Sequence, residues 1–235
     1  MGQLPIHRVT PFRPFLHTGV DYAGPFMLKT WRGRNAREYK AYIALFVCES
    51  TSAIHLELVT DYTTNAFIAA YKRSGLGTSK PLFFNIKLAS LLANDGTQWL
   101  FNPPSAPHFG GKWESGVRST KHHLCRVIGE QQLTYEEIST FLTQVEAVLN
   151  PRPLCSLTKD PDDLSVLTPG HFLIGGPLNI VPEPSLEDIQ ISRLSRWQLL
   201  RRITDDFWTK WSKEYLQKYQ PIYKWNQPMP EFKPG

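Results

Sequence analysis

Cysteine is scarce: three residues in a chain of 235, with no CxxC pair. Cys48, Cys125 and Cys155 are too few and too scattered for a disulfide framework or a cysteine-rich zinc site, and such a chain suits a reducing compartment. Long apolar runs are lacking as well. None reaches the ~20 residues that span a bilayer, and the N-terminus carries no apolar signal segment, so no membrane association is expected. No internal repeat is present. Neither sign of charge dominates: Lys plus Arg number 26 against 21 for Asp plus Glu, a net charge of +5 and a pI near 9.1. That excess permits a polyanionic partner without requiring one. Proline, by contrast, is plentiful, with 19 residues gathered in loops and both tails, so turns interrupt the chain often. A hydrophobic content of 41% and a charged content of 20% are ordinary for a globular protein. The length suits one large domain, or one domain with an appendage.

Residues 1–16 are broken by proline and read as an extended lead-in. Thr18 to Phe26, TGVDYAGPF, reads as a short strand carrying Asp21, ended or bent by Gly24 and Pro25. WRGRNAR then forms a basic turn up to Arg37, for which a solvated hairpin loop is the ordinary reading. Tyr39 to Cys48 is nearly all apolar from Ala41 onwards and predicts a central strand. In Ala53 to Val59, Ile54, Leu56 and Leu58 alternate with His55 and Glu57, as on a strand with two unlike faces. Three strands joined by short turns imply an antiparallel meander. Asp61, Thr63 and Thr64 offer cap chemistry for a helix running to about Arg73.

A second group of elements is helical. Pro103, Pro104 and Pro107 stop any strand, Gly110 and Gly111 permit a tight turn, and helical spacing begins near Lys112 with Gly129 as its stop. At 3.6 residues per turn, Glu114, Arg118, Lys121 and Cys125 share one stripe. Val117, Leu124 and Ile128 share the adjoining apolar stripe, with His122 and His123 off the first. On periodicity alone, Glu114 and Arg118 read as a surface i,i+4 pair. Leu133 to Leu149 is the clearest helix: Thr134 and Glu137 make a capping box, Leu133 and Ile138 a hydrophobic staple, and Ile138, Phe141, Leu142, Val145, Val148 and Leu149 a buried stripe. Cys155 to Pro184 reads as loop. Arg193 to Tyr219 predicts a long amphipathic helix with Trp197, Leu200, Phe207, Trp208, Trp211 and Tyr215 on one face. Its cations serve either solubility or DNA contact. Strands first and helices after predict an α/β fold.

The segment PPSAPHFGGKWESGVRSTKHHL resembles the part of retroelement integrases that carries the last acidic residue of their catalytic triad, and more narrowly resembles the BEL/Pao class of LTR retrotransposons. The resemblance recurs in HTGVDYAGPF, LTYEE, LNPRPL, LTPGHFLIG and RLSRWQL, in one order along most of the chain. It implies a ribonuclease H-like mixed sheet with flanking helices, followed by a helical C-terminal segment. The expected division is an integrase core-like domain at 17–153, a loop and amphipathic helix at 154–220, and a tail at 221–235.

The resemblance further implies polynucleotidyl transfer in DNA integration, acting inside the cell and in the nucleus. Phosphodiester transfer builds negative charge that two divalent ions about 3.5–4 Å apart can stabilise, and Mg²⁺ or Mn²⁺ held by carboxylates suits that task. Asp21 matches the first acidic position and Glu114 the third. The second departs from the pattern: Lys80 to Ala93 has no Asp or Glu, and relatives place something like SDNGTNF there. Either Asp95 in NDGTQW is a variant ligand, or the ligand-bearing strand has been lost near 80–94 and Asp95 is an Asp-Gly turn. Only 19 positions separate Asp95 from Glu114, which leaves no room for the intervening helix and favours loss, hence impaired catalysis. Lys112, Arg118, Lys121 and His108 are the candidate phosphate contacts. DNA is the expected partner, self-association is compatible, and no small-molecule substrate is implied. The competing expectation is a non-catalytic DNA-binding or self-associating module on the same fold.

Overall fold

The first strand, β1 (His17–Lys29), is the one on which the sheet is assembled. The computed structural model describes residues 10, 12–74, 80–82, 111–129, 131–160, 162–177, 184, 186, 189–190 and 193–217, with the backbone path alone at 80–82 and 111–117. On one side β1 pairs antiparallel with β2 (Glu38–Cys48), which pairs antiparallel with β3 (Ile54–Val59). This is the expected meander. On its other side β1 takes two short parallel partners, β4 (Lys80–Leu82) against His17–Gly19 and β5 (Leu133–Thr134) against Leu28–Lys29. Three antiparallel strands, parallel additions beyond the first, and helices on both faces make a ribonuclease H-like mixed sheet.

Gly24 and Pro25 bend β1 and do not end it. Ala23 opposes Ile43 and Phe26 opposes Ala41, so β1 carries one extra residue there. Side chains alternate with period 2, and an inserted residue reverses the parity. Ala23 before the bulge and Phe26 and Leu28 after it therefore face the same core. Gly24 sits at φ +123°, and a β-carbon there would lie 3.1 Å from the Ala41 carbonyl oxygen, so glycine suits the bend.

The two sheet faces carry different cores. Leu45 and Leu56, in register with Asp21, belong to a cluster with α2 (Gly111–Ile128), α3 (Tyr135–Leu149) and the C-terminal α5 (Arg196–Gln217). Val20, Ala44 and Phe46 face the other way, onto Phe67, Ala70 and Tyr71 of α1 (Thr64–Arg73), which Thr63 caps. The edge strand β3 is closed by side chains. Asn150 bonds both the N–H and the C=O of Ile54, Glu146 accepts the Leu56 N–H, and Arg73 donates to the Leu58 carbonyl. Four of the outward backbone groups that could template another strand are thus taken.

Several expectations need correction. Leu133 and Thr134 are not helical: they pair with β1, and Thr134 is the N-cap of α3, whose capping box and buried stripe are as read. Cys155 to Pro184 is not all loop. It holds the hairpin β6 (Cys155–Ser156) and β7 (Val166–Leu167), then the short helix α4 (Pro169–Ile174), closed by Gly175 in the left-handed region. The buried face of α5 is Leu199, Leu200, Ile203, Phe207 and Trp211, while Trp197 and Trp208 are exposed. That face centres between Ile203 and Phe207, and Trp208 is turned 100° from its neighbour Phe207.

Candidate catalytic-core site

Asp21 lies on the face of β1 that α2, α3 and α5 cover, two residues beyond the last one that pairs with β4. Its Oδ1 accepts the backbone N–H of Tyr22 at 2.7 Å, and its Oδ2 takes the ammonium of Lys121 on α2 at 2.6 Å. The pair is half-open to solvent: the Asp21 side chain is 36% exposed and that of Lys121 29%. A carboxylate from the middle of the sheet and a cation a hundred positions later therefore meet.

What fixes α2 there is the packing of the residues around and after Lys121. Leu124, Val127 and Ile128 enter the core, and Thr120 and His123 are buried. Glu214 of α5 accepts from Ser119 at 3.3 Å and lies 2.7 Å from His123 Nε2, which staples two successive turns of α2 to the C-terminal helix. Burial pushes the His123 imidazole below its ordinary value, outweighing Glu214. Its Nδ1 has no hydrogen-bond partner among the described residues, consistent with a neutral ring bonding through Nε2 alone.

Glu114 is in the first turn of α2, two turns before Lys121 on the same stripe, or about 10 Å along the axis. Arg118 stands between them and is exposed. The structure thus brings Asp21 against the helix that carries Glu114, Arg118 and Lys121. The Glu114 and Lys112 side chains, and Asp95 and His108 altogether, lie outside the described residues. Among the described residues no group of three or more His, Cys, Asp or Glu side chains could hold a metal ion. Among those residues Asp21 supplies one carboxylate to this corner, where a pair of hard cations takes several oxygen donors.

A second charged cluster escaped the sequence reading. Glu137, found there only as a capping residue, is buried to 1% exposure. Its Oε1 takes Arg196 Nε at 2.9 Å and Arg32 Nε at 3.0 Å, and its Oε2 takes Arg196 Nη2 at 2.6 Å and the Thr134 N–H at 2.9 Å. Burial alone would raise its pKa, but Arg196, the Thr134 N–H and Arg32 hold the carboxyl below its usual value. The capping box was the signal in the sequence, but nothing local announces the two arginines. At the sheet edge, Glu146 lies 3.2 Å from Nδ1 of His55 and Glu57 lies 3.4 Å from Nε2. The second contact is within reach of charge attraction but out of line for a hydrogen bond. Burial pushes the His55 imidazole down, yet the two carboxylates outweigh it and carry the ring up to about 9.

Among the described residues no helix is long and apolar enough to cross a membrane. Residues 195–235 match a family of unknown function (DUF5641). No curated protein matches the chain. Among solved structures, the chain is similar to one in the cryo-EM structure of the simian T-cell lymphotropic virus intasome in complex with PP2A regulatory subunit B56 gamma. Identity is 14% and the TM-score 0.48, over 79% of this chain and 64% of that one. The chain therefore spans less than two-thirds of that relative's length.

Proposed function

We propose that this chain is the catalytic core of a retroelement integrase, of the BEL/Pao class of LTR retrotransposons, in a copy impaired for strand transfer. One observation carries the reading: Asp21, the first acid of the expected triad, is ion-paired at 2.6 Å to the helix that bears Glu114, the third. The sequence motifs and the fold are consistent with it. The impairment is argued from the missing carboxylate in 80–94 and from Asp21 being neutralised internally. Mg²⁺ or Mn²⁺ would supply charge stabilisation at the scissile phosphate if bound. This chain's own residues would contribute carboxylate oxygen from Asp21 and Glu114, and phosphate contacts from Lys112, Arg118 and His108. Lys121 is engaged by Asp21, so a phosphate would compete with that carboxylate for its ammonium. The protein would meet DNA in the nucleus.

The alternative, a self-associating module working through the aromatic helix, keeps Trp197 and Trp208 as exposed surface but not the whole expected face. Phe207 and Trp211 are already buried inside the chain, Trp211 stacked on Tyr215. A DNA-binding module without catalysis remains the second reading. The deciding experiment incubates the purified protein with an oligonucleotide mimicking an element end, in Mg²⁺ or Mn²⁺, and scores nicked and joined products. The expected result is salt-sensitive DNA binding with trace products that Asp21→Asn removes. Efficient joining would refute the impairment, and absence of DNA binding would overturn the reading as a whole.

A further inference from the structure

We infer that the tip of the β1–β2 hairpin and the start of α5 form a second nucleic-acid surface, one that takes a strand with unpaired bases. The inference rests on the nucleic-acid reading above but not on catalysis. The hairpin loop is a built structure. Thr30 N–H donates to the Arg37 carbonyl at 3.0 Å, Arg37 N–H returns to Thr30 Oγ1 at 3.2 Å, and Asn35 makes the turn at φ +64°. Its position is fixed by Arg32, which shares the buried Glu137 carboxylate with Arg196 of α5. Each of these arginines has an exposed tryptophan as its chain neighbour, Trp31 at 54% and Trp197 at 55%. Two exposed aromatic residues therefore sit next in the chain to the two arginines of one anchored cluster.

Trp31 is not simply splayed into water. A β-carbon placed on Gly33 would fall 1.6–2.5 Å from three atoms of the Trp31 ring, so the indole lies directly over the Gly33 backbone and only glycine leaves it room. The ring is thus held against the loop backbone at Gly33 while more than half of the residue stays exposed. Arg34 and Arg37 belong to the same loop, exposed and held by no carboxylate among the described residues. Unheld guanidinium groups suit phosphate oxygens, and a posed indole suits the face of a base. The faces of bases are covered inside an intact duplex and open in a single or frayed strand. Hence the preference for unpaired bases. Eight residues of strand separate Asp21 from Lys29, on the order of 25 Å at ~3.3 Å per residue, so this surface is distinct from the Asp21 corner.

The test measures anisotropy of a labelled oligodeoxythymidylate of roughly a dozen nucleotides and of a blunt duplex of equal length. Wild type is expected to prefer the single strand. Trp31→Ala should weaken that binding about tenfold with little effect on the duplex. Gly33→Ala, which keeps the tryptophan but displaces it, should give part of the same loss. Arg34→Ser with Arg37→Ser should reduce the salt slope by about 1.4, at ~0.7 per single-strand phosphate contact. Trp31, Arg34 and Arg37 are exposed and Gly33 is half-buried, and unchanged thermal melting would separate lost binding from lost folding. Unaltered affinity in Trp31→Ala and the double arginine variant overturns the inference, as does equal binding of the duplex. Polyglutamate competing as well as the oligonucleotide also overturns it, in favour of an acidic protein partner. Asp21→Asn with Glu114→Gln should leave this binding intact, so a failed strand-transfer assay with intact single-strand binding counts against catalysis alone.

Discussion

Asp21 and Glu137 are both carboxylates on cations, and they differ in nearly every other respect. Glu137 is buried at 1% exposure, with two guanidinium groups and a backbone N–H filling its acceptor positions. Asp21 is 36% exposed and holds one ammonium and one adjacent N–H. A buried carboxylate is tolerated only when its lone pairs are met, because removing an anion from water is expensive. A carboxylate meant to exchange partners must keep a side open. The contrast separates a joint, which ties the hairpin, α3 and α5 together, from a corner whose single cation can be displaced.

The largest effect should follow from breaking the joint. Glu137→Ala removes the α3 capping box and leaves Arg196 and Arg32 without their anion. Loss of the cap is worth ~1 kcal/mol and the charged hydrogen bonds ~1.5–3 kcal/mol. Both guanidinium groups can re-enter water, so we expect a total of about 3 kcal/mol, read as a lower urea midpoint. Glu137→Gln should recover part of this, because its amide can still accept from Thr134.

The His55 cluster sharpens the comparison through pH. Its ring is raised to about 9 in the fold, against ~6.5 when unfolded. The stabilisation is complete below ~6.5 and is lost as pH rises through about 9. Stability should therefore fall across that window, on the order of 1–3 kcal/mol. His55→Gln should flatten the fall, as the difference between the two proteins' urea midpoints at the two ends of the window. Glu57, lowered despite burial by His55 and Arg73, acts in the opposite direction: its share is present above ~4.5 and is lost on acidification.

The sequence was most readable where the physics is local. In α3, the cap, the staple and the 3.6-residue stripe all lie within one stretch, and every predicted stripe residue is buried. The meander was readable because alternation in β3 and the apolar run of β2 reflect burial directly. Legibility fell where partners are distant. The Leu133–Thr134 strand exists only because β1 is beside it, and no periodicity separates it from a helix start. In α5 the aromatic residues were grouped by chemical kind, yet the packing against α2 and α3 selects Leu199 and Ile203 and leaves Trp197 and Trp208 outside. At the site, Asp21 was found through the motif around it. That Lys121 would be its partner could not be read from a stripe, because helical spacing gives a residue's direction but not what it meets.

The smallest expected effect on stability is the most informative about the corner. An ion pair this open contributes ~0–1 kcal/mol, since water competes for both groups and salt screens them. Lys121→Met should therefore shift the urea midpoint by less than about 1 kcal/mol, although it deletes the shortest contact that Asp21 makes. Its consequence should appear elsewhere. With the ammonium gone, the Asp21 carboxylate is open to an external cation, and titration with Mn²⁺ monitored by the paramagnetic signal of the free ion should detect tighter binding than in wild type. Asp21→Asn in the same background should abolish the gain. Equal Mn²⁺ binding in all three proteins would mean that Lys121 and an external cation do not compete for Asp21. The corner would then be a structural ion pair like the Glu137 joint, merely a more exposed one.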